Sequence, residues 1–490
     1  MILTLLLLPL LAGAAVALIS HRLTARLLAL AASIATFLVA LNAEAGLTLE
    51  LPWLPQVGAN ISMAWGGAGL VLVTTAAFVL IPALWYAGLR VDHRTGVFLG
   101  LVLIMQAFLN GMFLSQDLLV FYISWEAALI PSVILLGVWG GSRKRQAAMK
   151  YLMYAVAGSF LMLVAIIATR VLSGADSFLI SDLLPATAAL SSGTQLLLFL
   201  GFAAAFAVKL PLFPLHAWLP DFHEQNHPSG VADVAGTLYK AGGFGFFAWA
   251  IPLFPAAAAS AGPVLLGLAA FTALYAGLAA IAQRELKRLL AYASLSHMGI
   301  IGAGLFSLQA EGLNGAMLLL AAQMVSTSAL FLLAGMLGAR RGTFDLDAYG
   351  GIARSAPALA GFMLFAIFAS IGVPGLANFP GEFLSLMGAF MTTPLWGVLA
   401  TLAVIAAGVY GVNLYQRLFQ GEQSQPATDL RFSEVLTVVP LVLAILWFGL
   451  APKGAADSIA LQTGRTVSQL ELAQQAPVST PVALLQEDAR

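Results

Sequence analysis

Long apolar runs separated by short polar breaks make up almost the whole chain. Fourteen of them can be counted, centred near residues 10, 33, 77, 106, 128, 160, 206, 241, 272, 297, 325, 374, 407 and 443. Each approaches the about 20 apolar residues that a helix needs to cross a ~30 Å hydrocarbon core, so each predicts a membrane helix. Between the second and third runs, residues 44–62 include "LTLELPWLPQV", which alternates apolar and polar positions around two prolines and predicts a surface hairpin. The first run, "MILTLLLLPLLAGAAVALI", has no basic residues ahead of it and reads as a first membrane helix rather than a cleaved signal. From about residue 453 the chain is polar and is expected to lie outside the membrane.

Two of the runs are interrupted. The seventh breaks in "AFAVKLPLFPLHAWLPDFH", where Lys209 is followed at once by Pro211 and Pro214. The twelfth would be ~50 Å long as a straight helix, and it breaks at "GVPGLANFPG", around Pro374. The interrupted helices are five apart, an odd number, so the units that contain them lie inverted in the membrane. Paired broken helices in an inverted repeat point to an ion pathway near the midplane. Backbone freed at that depth has to face protein or water rather than lipid. The expected architecture is an all-α polytopic membrane protein with two inverted five-helix repeats, helices 4–8 and 9–13, broken at helices 7 and 12. Its expected divisions are 1–95 (helices 1–3 with the outer-face hairpin), 96–252 and 262–420 (the repeats), 421–452 (helix 14) and 453–490 (the tail).

Composition agrees. Of the 490 residues 60% are hydrophobic and only 9% charged, against roughly 25% charged in soluble domains. The formal net charge is zero, which gives no reason to expect a nucleic-acid partner, and the absence of cysteine excludes disulfides and thiolate-held zinc or iron–sulfur centres in this chain. Sixteen of the 22 lysines and arginines, among them Arg284, Lys287 and Arg288, fall in the odd-numbered loops, which is expected to place those loops in the cytoplasm and both termini outside a bacterial plasma membrane.

The few charges within apolar runs are the candidate chemistry. They are Glu126 in "FYISWEAALIP", Lys209, Lys240 and Glu382 in "NFPGEFLSL". An ionisable group at the bilayer centre costs roughly 2.5–3.5 kcal/mol on insertion scales. Static ion pairs tying helices together are the plain explanation, but four such groups are costly for that purpose alone. Burial lowers a lysine's proton affinity and a carboxylate neighbour restores it, so a balanced lysine can act as a proton-relay element. Asp233, at the start of helix 8, reads as a simple cap. His216 and His223 read as a polar lining for proton entry or as structural histidines, and no spacing suggests a metal site. His297, inside helix 10, is expected to relay between the two broken units.

The stretches "SWEAALIPSVILLGVWGG", "KLPLFPLHAWLPDFH", "AGTLYKAGGFG", "LKRLLAYASLSHMG" and "GVPGLANFPGEFL" occur in an order and spacing that resembles the antiporter-like membrane subunits of respiratory complex I, of the subunit M or chain 4 type. The resemblance covers roughly residues 60 to 450. It implies fourteen helices with both termini outside and a proton-translocating role in NADH–quinone oxidoreductase. It also implies the sister antiporter-like subunits and membrane lipid as partners. NADH, FMN, iron–sulfur clusters and quinone would be held on other subunits, with no cofactor in this chain. Residue by residue it implies a helix-5 glutamate at Glu126 pairing with the switch lysine Lys209, a central lysine at Lys240, a helix-10 histidine at His297 and the helix-12 carboxylate at Glu382. The sister subunits usually have lysine at that last position. The helix-11 histidine of the family is matched by Gln323 in "LLAAQMVSTS", so the link from His297 to Glu382 is expected to run through water. His227, in "EQNHPSGVADVAG", is an addition to the family pattern.

Three rival readings remain at the level of sequence. A multisubunit sodium/proton antiporter is opposed by Glu382. The membrane arm of a related hydrogenase or carbon-dioxide-hydrating complex would be separated by the subunits alongside it. A purely structural scaffold is opposed by the buried charges.

Overall fold

The computed structural model describes residues 1–238, 241–422 and 426–475. Among them eleven helices are long and apolar enough to span a membrane: helices 2 (Arg22–Asn42), 3 (Gly67–Arg90), 4 (Thr95–Leu114), 5 (Leu118–Trp139), 6 (Lys144–Ser173), 7 (Ser192–Lys209), 9 (Pro255–Ile281), 10 (Leu286–Phe306), 11 (Ala310–Arg341), 13 (Pro394–Phe419) and 14 (Phe432–Leu450). The shorter apolar helices Ile2–Ala17, Gly242–Leu253 and Pro357–Ser370 fall on the remaining expected runs, helices 1, 8 and 12, and helix 8 opens with the segment Val231–Leu238. Every predicted run is therefore helical. The predicted hairpin is present as β1 (Thr48–Leu54) and β2 (Ala59–Ala64), antiparallel, with Thr48 opposite Ala64 and Leu51 opposite Ile61.

Helix 10 (Leu286–Phe306) and helix 11 (Ala310–Arg341) are buried on nearly every side. They form the core of the molecule, as expected of helices that are apolar all round. Helix 6 (Lys144–Ser173) instead exposes Met149, Met153, Phe160, Val164 and Ile167 on one side, a surface suited to lipid.

The odd loops are tied to one another on one face. Arg90 of helix 3 and Arg340 of helix 11 each lie 2.5 Å from a different oxygen of Glu434, at the start of helix 14. Arg417 reaches Asp347 at 2.6 Å, and Arg143 pairs with Glu224. The hairpin sits at the other face, where Gln116 N–H donates to Ser62 and Phe178 N–H to Gly58. The polar tail is helical over Lys453–Gln475 and lies across the starts of helices 3 and 11. There Gln462 accepts from the Ala68 N–H at 3.1 Å, and Thr463 donates to Asn314 at 2.6 Å. The first of these bonds satisfies a backbone N–H at a helix start, which has no partner within its own helix.

Candidate functional site

The backbone of helix 7 stops at Lys209, the last residue of Ser192–Lys209, and resumes as the short helix Trp218–Gln225. Pro211 and Pro214, which lack N–H groups, lie between the halves. The break is lined with specific partners. The Trp218 indole N–H donates to the Val208 carbonyl at 3.0 Å, and the Phe213 N–H donates to Thr272 of helix 9 at 3.0 Å. Helix 12 is built in the same way. It stops at Ser370, turns through Gly372, Pro374 and Gly375, and restarts at Asn378. The Asn378 amide donates to the Ser370 carbonyl at 2.8 Å, while its oxygen accepts from Ser326 at 2.9 Å. In both helices a side chain just past the break satisfies a carbonyl of the last turn before it.

Lys209 is 2% exposed. Its ammonium donates to the Tyr151 hydroxyl at 3.0 Å and lies 5.8 Å from the centre of the Trp125 ring. Tyr151 in turn stacks on Trp218 at 4.7 Å. Glu126 and Lys209, the pair expected from the sequence, are coupled electrostatically, while the ammonium donates its hydrogen bond to Tyr151. Glu126 lies in the last turn of the first half of helix 5 (Leu118–Ala127), beside Ser159. Pro131 removes the donor for the Ala127 carbonyl, and the helix turns at Ala128 before continuing over Leu129–Trp139. Lys240 lies outside the described residues. Gly242, two residues on, packs so closely on helix 7 that a Cβ there would come within 2.3 Å of the Phe206 carbonyl oxygen and 2.4 Å of the Leu210 nitrogen.

The second broken helix holds a tighter constellation. His297 Nδ1 lies 2.8 Å from Glu382 Oε1, both almost wholly buried, as an ion-pair contact rather than an aligned hydrogen bond. The other ring nitrogen lies 3.3 Å from the Tyr410 hydroxyl of helix 13. The water link expected between His297 and Glu382 is thus replaced by direct contact. Gln323 is buried in the middle of helix 11 and accepts from Thr327 at 2.6 Å. An imidazole held at both nitrogens can take a proton on one and release it from the other, which is what a relay requires.

His216 and His223 part company in the structure. His216 packs against the Phe213 and Tyr275 rings at 5.6 and 5.3 Å. His223 is fully buried, with Nδ1 2.9 Å from Asp233 Oδ1. Asp233 is more than the simple cap expected of it, because its second oxygen lies 2.8 Å from the Lys287 ammonium. Lys287 was expected in a cytoplasmic loop among Arg284 and Arg288, but it is 1% exposed. The sequence does carry a sign of this. Lys287, Ser294 and His297 are spaced by seven and three residues, which puts them on one stripe of helix 10. Tyr151 and Tyr410 carried no comparable signal, since a tyrosine in an apolar run reads as core. His227 lies in the loop ahead of helix 8, with its pKa pushed down to about 4 by burial and, next, by the Lys287 charge. Among the described residues no group of three or more metal-ligating side chains comes together.

The family model described as "NADH:quinone oxidoreductase/Mrp antiporter, TM" matches residues 115–407. NADH-quinone oxidoreductase subunit 13 of Thermus thermophilus is 46% identical over 404 residues, which cover 82% of this chain and 84% of that protein. NADH-ubiquinone oxidoreductase chain 4 of Arabidopsis thaliana is 33% identical over 444 residues, 87% of this chain and 88% of that one. A chain in the structure of respiratory complex I from Thermus thermophilus matches with a TM-score of 0.91 at 41% identity, covering 96% of this chain and all 100% of that chain. A chain of the Mrp complex from a Dietzia species matches with a TM-score of 0.83 at 19% identity, over 98% of this chain and 58% of that one, a likeness of fold alone.

Proposed function

The chain belongs to the family of NADH:quinone oxidoreductase/Mrp antiporter membrane subunits, and on that premise we propose that it is the antiporter-like, M-type subunit of a respiratory complex I, carrying protons across the membrane without a redox centre of its own. The observation that carries this reading is the set of ionisable groups at two broken helices: buried Lys209 held by Tyr151 near the half-buried Glu126, and buried Glu382 held by His297. The resemblance in length and identity to complex I subunits favours this assembly over an antiporter that works without a redox partner. The odd loops would then face the cytoplasm and both termini the outside.

The cycle is electrostatic. A charge change arriving from a neighbouring subunit shifts the balance between Glu126 and Lys209. A change in the charge or position of Lys209 alters the electrostatic field felt by Lys240, and with it the hold of Lys240 on its proton. His297 takes it at one ring nitrogen and passes another to Glu382 from the opposite one. Glu382 is neutral when loaded and releases outward when a positive neighbour favours its anion.

The test is at Lys209. Lys209→Ala should leave the complex assembled while proton pumping and coupled quinone reduction fall at least tenfold. Lys209→Arg should fail too, because a guanidinium with a pKa above about 12 does not give up its proton. Normal pumping by an assembled Lys209→Ala complex would remove the switch.

A further inference from the structure

We infer that His223, Asp233 and Lys287 form a gate through which protons enter from the odd-loop face; this rests on the pumping role proposed above. All three side chains are at most 1% exposed. One carboxylate serves both bases: Asp233 Oδ1 lies 2.9 Å from His223 Nδ1, and Oδ2 lies 2.8 Å from Lys287 Nζ. Asn226 steadies both, donating its amide to Asp233 at 3.2 Å and accepting from Lys287 on its carbonyl at 2.9 Å.

A pair that merely tied helix 8 to helix 10 would need one cation for one anion. Here a second base shares the anion, and it is an imidazole, the side chain that titrates near working pH. With His223 neutral, the charges of Asp233 and Lys287 cancel. A proton taken up at the ring nitrogen opposite Asp233 leaves the cluster with one positive charge in excess. That charge is buried and costly, so it favours onward transfer. The gate therefore accepts a proton only transiently, as an entry point should.

Its position fits. The short helix Trp218–Gln225 turns Asp221 and Glu224 toward the odd-loop face, where they are 29% and 16% exposed and both meet Arg288, at 2.9 and 2.7 Å. The same helix turns His223 inward to Asp233. Arg288 and Lys287 are neighbours on helix 10 that divide the same labour, one at the wet carboxylates and one at the buried carboxylate. Trp218 of this short helix also stacks on Tyr151, the partner of Lys209. Entry cluster and switch lysine thus share one rigid piece. On helix 10, Lys287 lies on the stripe that leads to His297, ten residues and ~15 Å away.

Among the described residues, the titratable and charged groups around His223 are Asp233 from helix 8, Lys287 from helix 10, His227 from the intervening loop, and Asp221 and Glu224 on its own helix. Helix 11 contributes the Phe331 ring, stacked at 4.6 Å. Removing a negative neighbour disfavours the charged imidazole, and removing a positive one favours it.

The experiment uses the whole complex in inverted membrane vesicles, where the odd-loop face meets the medium, and reads quinone-linked proton uptake against medium pH. Asp233→Asn should move the midpoint about one pH unit toward acid, and Lys287→Gln should move it about as far toward alkaline. Lys287→Arg keeps the charge and should leave the midpoint in place. Opposite shifts support the gate, and the Lys287→Gln and Lys287→Arg comparison carries the test alone if Asp233→Asn does not assemble. Equal losses at every pH, or shifts in one direction, overturn it in favour of a structural tie. Lys209→Ala is run alongside. If that variant pumps normally, the pumping role itself is wrong; if it fails while no midpoint moves, only the gate is wrong.

Discussion

Gly372 shows at a single residue how the second broken helix makes room for its carboxylate. It sits at φ +77°, and a Cβ there would come within 1.9 Å of Glu382 Oε2. Glycine is thus required twice, for the left-handed turn and for the close approach of the acid. Gly372→Ala should push Glu382 off His297 and reduce proton uptake in vesicles at least tenfold; Glu382→Asp, one methylene shorter, should recover part of it when added to Gly372→Ala. No recovery in the double variant, with both complexes assembled, would mean that backbone strain alone explains the loss. The presence of Glu382 and its neighbouring glycine could be read directly from "GVPGLANFPGEFL". The hydroxyl on Lys209 could not, because an aromatic residue inside an apolar run gives no sign of which polar group it meets. The resemblance pointed to Glu126 as the partner of Lys209; the structure couples the two electrostatically and adds the hydrogen bond to Tyr151.

The elements were legible where their physics is local. Membrane helices announce themselves by length and apolar content, and proline and glycine mark where they break. What stabilises each break was not legible. The Trp218 and Asn378 bonds to Val208 and Ser370 depend on the chain folding back over the break, and an orphaned buried carbonyl would cost about 1–3 kcal/mol. The start of helix 10 is similarly hidden. Glu285 caps it through the Arg288 N–H, and burial pushes its carboxyl up from 4.5 to about 7. The folded chain therefore binds this proton more tightly than the unfolded one. The associated stability is complete below about pH 4.5 and is lost as pH rises toward about 7. The thermal midpoint of the assembled complex should accordingly fall between pH 5 and pH 8, and Glu285→Gln should shrink that fall. An identical pH dependence in the variant would show that the group contributes nothing to it.

Over the whole molecule, the buried charges occupy two broken helices and the face where basic loops gather, with helix 10 running between them. Sorting lysine and arginine by loop parity gathers the basic loops on one face, but it placed Lys287 in solvent. Its neighbour Arg288 meets the partly exposed carboxylates Asp221 and Glu224, whereas Asp233 of helix 8 and the Asn226 carbonyl draw Lys287 inward. Such a partner is a long-range contact and leaves no mark in local sequence. The central claim is that protons cross the membrane through this chain and leave by Glu382. The most direct measurement is proton uptake per electron in inverted vesicles for Glu382→Gln, which keeps the shape of the side chain and removes its titratable proton. The account predicts an assembled complex in which fewer protons move for each quinone reduced. An unchanged ratio at normal turnover would contradict it, and the exit would then have to lie elsewhere.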